Sequence, residues 1–108
     1  MVEKKLTISE NTCSLKDVLE IIGGKWAMPI IYILSKGKLR FKELERSVEG
    51  INTRMLVKEL KNMEKNGIIK RDVFATVPPT VEYTLTDKGE KLLPSIISLH
   101  TWGKEFVS

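Results

Sequence analysis

Cysteine and histidine each occur once in the 108 residues, and that scarcity removes several kinds of chemistry. One cysteine excludes a disulfide within the chain, and one cysteine with one histidine cannot assemble a zinc site in it. No apolar run approaches a membrane span; the longest, Ala27 to Leu34, is interrupted by Pro29. The opening residues Met1-Val2-Glu3-Lys4-Lys5 are polar and lack the apolar segment of a signal peptide. A cytoplasmic location with no membrane partner is therefore expected. A glycine-rich phosphate loop, paired catalytic carboxylates and a nucleophile elbow are also missing, so neither enzyme activity nor a cofactor or metal is expected.

What is present is a small basic domain. The net charge is +4 with a pI near 9.2, which favours an anionic partner without choosing between nucleic acid, membrane and solubility. At 42% hydrophobic residues the chain can build one modest core, and small domains often bury more by pairing. Residues 1–12 are polar and are expected to be a flexible segment. Residues 13–108 are expected to form one domain.

Charge sorted by face is the most informative pattern. Between Asn52 and Gly67, Arg54, Lys58, Lys61 and Lys65 recur at i, i+4, i+7 and i+11. At about 100° per residue they fall within roughly 60° of arc on a helix. Leu56, Leu60 and Met63 form an apolar stripe on the opposite side. Like charges at i, i+4 repel by a few tenths of a kcal/mol per pair, a cost that a polyanion laid along the stripe offsets. A solvated surface is the plainer alternative.

The surrounding pattern favours the polyanion. Ser14 with Asp17 predicts the start of a first helix over Leu15 to Ile22, ended by Gly23-Gly24. A second helix is predicted from Lys25 or Trp26 to Ser35, and a third from Phe41 to Ser47. Glu49-Gly50 breaks the third helix and Asn52 caps the basic one, so two helices meet through a tight glycine-containing turn. Beyond Gly67 the period becomes alternating: Ile69 to Thr76, a Pro78-Pro79 turn, then Val81 to Leu85 predict a two-stranded hairpin. Thr86 caps a final helix predicted from Asp87 toward Phe106, with a kink or boundary near Pro94. A helix-turn-helix followed at once by a hairpin is the layout of a winged helix, an α+β fold.

Within that layout the candidate DNA readers lie in the first turns of the basic helix: Asn52, Thr53, Arg54, Val57 and Lys58. Arg54 can grip a guanine in bidentate fashion, and Thr53 or Val57 can touch a thymine methyl. Lys61 and Lys65 lie further along and are expected on backbone phosphates. Lys70 and Arg71 are the hairpin's cations, with Arg71 either on DNA or paired to a carboxylate such as Glu82. Arg40 and Lys42, with Lys38 nearby, open the third helix, where amides and cations suit a phosphate.

The final helix carries more apolar surface than one core stripe needs: Leu92, Leu93, Ile96, Ile97, Leu99, Trp102 and Phe106. With Leu15 and Leu19 of the first helix, the set Leu92, Ile96, Leu99, Trp102 and Phe106 is a candidate homodimer interface. A two-fold dimer places two basic helices about one DNA turn apart. Cys13 precedes the first helix, where the helix dipole favours a thiolate, and is a candidate redox sensor. His100 is expected to be a packed side chain. Two further readings stay open: a protein-interaction winged helix, and a regulator whose small-molecule inducer, of unknown identity, lodges around Trp26, Trp102 and Phe106.

Particular residues also resemble a known family. Leu19-Glu20-Ile21-Ile22-Gly23-Gly24-Lys25-Trp26 is similar to the opening of the HxlR-type winged-helix regulators of bacteria and archaea. Arg40-Phe41-Lys42-Glu43-Leu44 resembles the start of that family's helix-turn-helix. Met55-Leu56, Leu60 and Glu64 through Gly67 resemble its recognition helix and exit. Val77-Pro78-Pro79 with Val81 to Thr86 resembles its wing, and Gly89, Leu92 and Pro94 the start of its last helix. The resemblance spans Cys13 to Gly103. It implies a homodimeric DNA-binding transcriptional regulator paired through its first and last helices, with double-stranded DNA as partner. It also implies a sensing role for a cysteine at the position of Cys13. Two departures stand out: Cys13-Ser14 where the family commonly has cysteine-proline, and Thr80 where a basic residue often follows the wing prolines.

Overall fold

Capping chemistry sets where the helices start and stop. In the computed structural model, which describes residues 14–107, helix α1 spans Leu15–Ile22 with Ser14 as its N-cap. The Ser14 hydroxyl accepts the Asp17 N–H at 3.3 Å, and the Asp17 carboxylate accepts the Ser14 N–H at 3.2 Å. Helix α2 covers Ala27–Leu34, a short strand β1 covers Leu39–Arg40, and α3 covers Phe41–Ser47. Glu43 accepts the Arg40 N–H at 2.8 Å, holding the first turn of α3. Helix α4, Thr53–Lys65, starts on Asn52, whose Oδ1 accepts the Met55 N–H at 2.8 Å.

The end of α4 is equally specified. Gly67 takes φ +75°, a conformation that costs side-chain-bearing residues about 1–2 kcal/mol. Its N–H donates to the Glu64 carbonyl at 3.0 Å, and the Ile68 N–H donates to that of Met63 at 2.9 Å. This paired closure satisfies carbonyls that the helix leaves open and turns the chain into strand β2, Ile69–Phe74. Strand β3, Thr80–Leu85, returns antiparallel, with Ile69 opposite Leu85 and Phe74 opposite Thr80. The tip contains a cis Val77–Pro78 bond.

Two expectations are extended. The hairpin of β2 and β3 is joined by a third strand that the sequence did not predict: β1 pairs antiparallel with β3, Leu39 opposite Tyr83, giving a three-stranded sheet in the order β1-β3-β2. A two-residue strand has no alternation to read, so only its partner reveals it. The final helix is also two helices, α5 at Asp87–Glu90 and α6 at Leu93–Phe106. Pro94 stands in the first turn of α6, where its missing N–H would otherwise bond back to Glu90. The break falls where Pro94 led the sequence to expect one.

The core gathers around α2, whose sequence Ala-Met-Pro-Ile-Ile-Tyr-Ile-Leu offers apolar groups on almost every side. Ile30, Ile31 and Leu34 of α2 are buried with Leu44 and Val48 of α3 and Ile96 of α6. Leu56, Leu60 and Met63 of α4 join them, at most 2% exposed, as their spacing predicts. At about 1.5–3 kcal/mol for each fully buried large aliphatic side chain, this stripe anchors α4 and turns its cationic side outward. No helix among the described residues is long and apolar enough to cross a membrane.

Candidate nucleic-acid interface

The outward face of α4 carries Arg54, Lys58, Lys61 and Lys65, all exposed, and none of them forms an ion pair among the described residues. Val57 lies on the same solvent-facing side, 37% exposed. The two residues at the helix start are less free. Asn52 spends its side-chain oxygen on the cap, so only its amide donors remain for a base. Thr53 donates its hydroxyl proton to the Glu45 carboxylate of α3.

Helix α3 and the hairpin tip form an open cleft of about 620 Å³ between them. Arg40, Lys42 and Arg46 line it from α3, and Thr76 to Val81 line it from the hairpin. The structure thus brings Arg40 and Lys42 together as the sequence suggests, and adds Arg46, which the sequence reading missed. Its signal was available: Arg46 follows Lys42 by four residues and therefore shares its helical face. Lys42 leans on Glu45 at 3.9 Å, whereas Arg40 and Arg46 have no ion-pair partner among the described residues.

Register removes Glu82 as a partner for Arg71. Arg71 stands opposite Tyr83 while Asp72 stands opposite Glu82, and adjacent residues on a strand point to opposite faces. Glu82 is therefore on the wrong face for Arg71 and binds Lys38 instead, at 3.5 Å. Arg71 lines a groove of about 470 Å³ beside Val57, Lys61 and Glu64, at the root of the hairpin rather than its tip. Lys70 pairs with Asp72 at 3.8 Å. The tip itself is uncharged: the Thr76 hydroxyl bonds the Pro78 carbonyl at 2.6 Å and lies 2.8 Å from that of Thr80. Val77 at the tip is fully exposed.

On α1 and α6, Leu15, Leu19, Leu99, Trp102 and Phe106 are 54–68% exposed, and the rings of Trp102 and Phe106 lie 5.3 Å apart. Two members of the expected interface belong elsewhere. Ile96 is 6% exposed in the chain's own core and Leu92 is partly buried against it, because α6 turns that side toward α2. Trp26 does not join Trp102 and Phe106 either; it packs by the turn before α4, where a Cβ on Gly50 would sit 3.5 Å from its ring. A separate cavity of about 330 Å³ lies between α2 and α6, lined by Met28, Pro29, Tyr32, Ile96, Leu99 and His100. His100 is exposed, its ring 6.3 Å from that of Tyr32. Cys13 and residues 1–12 lie outside the described residues.

A cationic helix mounted by its apolar stripe, a glycine turn behind it and a short hairpin beside it define a winged helix-turn-helix of the DNA-binding class. Comparison with known proteins narrows the class. Residues 21–108 match the HxlR-like helix-turn-helix family. The chain is 42% identical over 99 residues to an HTH-type transcriptional regulator of Methanothermobacter thermautotrophicus, covering 92% of this chain and 76% of that one. Among solved structures, the redox regulator HypR in its oxidised form superposes with a TM-score of 0.83 at 38% identity, covering 89% of this chain and 99% of HypR. The reduced form of the transcriptional regulator YodB from Bacillus subtilis gives 0.76 at 33% identity, covering 87% and 92%. The chain belongs to the HxlR family and is a DNA-binding transcriptional regulator, not an enzyme.

Proposed function

We propose that the protein acts as a homodimer on an operator with inverted half-sites. Asn52, Thr53, Arg54, Val57 and Lys58 read bases, and Lys61, Arg40, Lys42 and Arg71 hold phosphates. The observation that carries this reading is the cationic face of α4, without an ion pair among the described residues and held outward by a buried apolar stripe. Protein-interaction winged helices typically lose such an uninterrupted cationic face, which favours DNA over that alternative. The exposed apolar side chains of α1 and α6 support the dimer, since a patch of this kind in a small domain marks an interaction surface. If a dimer neutralises about six to ten phosphates, affinity should fall by roughly 10³ to 10⁵ between 50 and 200 mM salt. A gel shift against the DNA upstream of its own gene, repeated across that range, tests the reading; binding that stays flat refutes it.

The same proposal assigns redox or electrophile sensing to Cys13, supported by the likeness to HypR, described as a redox regulator. With one cysteine per chain, a protein disulfide must join two chains. Two Cys13 thiols then surrender two protons and two electrons to a peroxide- or diamide-class oxidant, which is reduced. Alternatively the thiolate adds to an electrophile or forms a mixed disulfide with a small thiol. Either change alters the relation of the subunits and with it the spacing of the two α4 helices. A small-molecule inducer is the second reading, and the cavity between α2 and α6 is where the structure favours it. A thermal-shift screen against small aromatic compounds addresses it.

A further inference from the structure

Glu45 is the anomaly of the DNA-facing side. It sits on α3 with Arg40, Lys42 and Arg46 close by in sequence, where a carboxylate works against any polyanion, yet its side chain is only 22% exposed and has two partners. Across the turn, eight residues on, it accepts the hydroxyl proton of Thr53, the first residue of α4. On its own helix it draws the Lys42 ammonium to 3.9 Å. One carboxylate therefore restrains a candidate base reader and a candidate phosphate anchor at once.

The physical consequences differ for the two partners. Thr53 has a single donor proton, and Glu45 takes it; what remains for a base edge is the methyl group and lone pairs. That converts Thr53 from a general hydrogen-bonding side chain into one suited to a thymine methyl or a base donor. Glu45 also sets a negative charge 3.9 Å from the exposed Lys42 ammonium, which subtracts from phosphate attraction, the part of binding that carries no sequence information. Both effects act in the same direction, toward selectivity and away from bulk affinity.

We infer that Glu45 is a positioning residue for operator discrimination, orienting Thr53 for base contact while its charge tempers the phosphate attraction of Lys42. This rests on the reading of α4 as the recognition helix. The probe is a duplex enriched by the wild-type protein from a random pool, together with its single-base variants and a random duplex. Glu45→Ala, Glu45→Gln, Thr53→Val and Lys42→Ala are compared by binding titration at several salt concentrations.

Glu45→Ala and Thr53→Val are expected to erase, several-fold, the preference at the same single base position, and their double variant to be no worse than either alone. Glu45→Gln, which keeps an acceptor for Thr53, is expected to retain that preference. Both Glu45 variants should bind random duplex more tightly and steepen the salt dependence, by less than the log-log slope of about 0.9 that one whole added phosphate contact gives, since Lys42 already meets a phosphate in the wild type. The Lys42→Ala background should abolish that steepening. A merely structural role instead lowers affinity for all duplexes alike, with no position singled out and no steeper slope. That result overturns the inference, as do additive effects of Glu45→Ala and Thr53→Val. Failure of the underlying DNA reading is distinguishable, because the wild-type protein then shows no salt-dependent duplex binding at all.

Discussion

Arginine and lysine on α4 are suited to different contacts because their heads differ. Arg54, in the first turn, has a planar fork that can hold guanine O6 and N7 together, a contact worth about 1–3 kcal/mol of discrimination. Lys61, two turns on, offers a point charge suited to a phosphate wherever it lies. Arg54→Ala is expected to shrink the ratio of operator to random-duplex affinity by about 5- to 150-fold, measured by competition titration. Lys61→Ala should weaken both duplexes alike and lower the salt slope by about 1. Cys13→Ser should leave DNA affinity intact and abolish release of DNA on treatment with diamide or a thiol-reactive electrophile; an unchanged response discards the sensing role. At this scale the candidate readers were legible because α4 repeats every 3.6 residues and shows its charged side plainly. The engagement of Thr53 by Glu45 and of Lys42 by the same carboxylate was not, since it depends on how α3 docks beside the start of α4.

Elements are joined here by backbone as much as by side chains. Short helix α5 fastens the far end of α4. The Thr86 hydroxyl donates to the Gly67 carbonyl at 2.5 Å, and the Lys88 ammonium donates to that of Asn66 at 2.8 Å. Gly89 is buried so closely on the Ile68 carbonyl that a Cβ would meet its oxygen at 2.2 Å. No rotamer relieves a clash with backbone. Gly89→Ala is therefore expected to destabilise the fold by about 1–3 kcal/mol in urea denaturation, the usual range for overpacking, and to loosen α4 from the sheet. The helices and the hairpin were legible from Ser14, Asn52, Gly67, Thr86 and the Pro78-Pro79 turn, because caps and turns are local chemistry. Strand β1 was not, since Leu39-Arg40 becomes a strand only when Tyr83-Glu82 is laid beside it. Gly89 entered the sequence reading only through the family resemblance; its physical reason lies twenty-one residues earlier in Ile68.

At the scale of the whole molecule, a cationic face on α4 is accompanied by an exposed apolar surface on α1 and α6. Leu19 and Trp102 are 58% and 56% exposed, so a charge placed on either should leave the monomer folded. Leu19→Glu and Trp102→Glu are expected to shift the protein from dimer to monomer in sedimentation equilibrium and to lose the operator while retaining weak half-site binding. Ile96→Glu marks the contrast, because it places a charge in the 6%-exposed core and should unfold the chain outright. Dimers that survive both surface substitutions would falsify the assignment of this face.

The sequence by itself determined the winged layout, the orientation of α4 and the class of partner, because periodicity and capping are set by residues within a few positions of one another. It also pointed to a surplus of apolar surface at the chain's end. Only the tertiary structure decided how that surplus is divided, giving Ile96 and Leu92 to the core and Leu99, Trp102 and Phe106 to solvent. It decided, too, that Arg71 faces Tyr83 rather than Glu82, and that Glu45 holds Thr53. These are matters of which surfaces meet. Their partners lie far enough apart in sequence, or across a turn whose course must be known, that no local pattern encodes them.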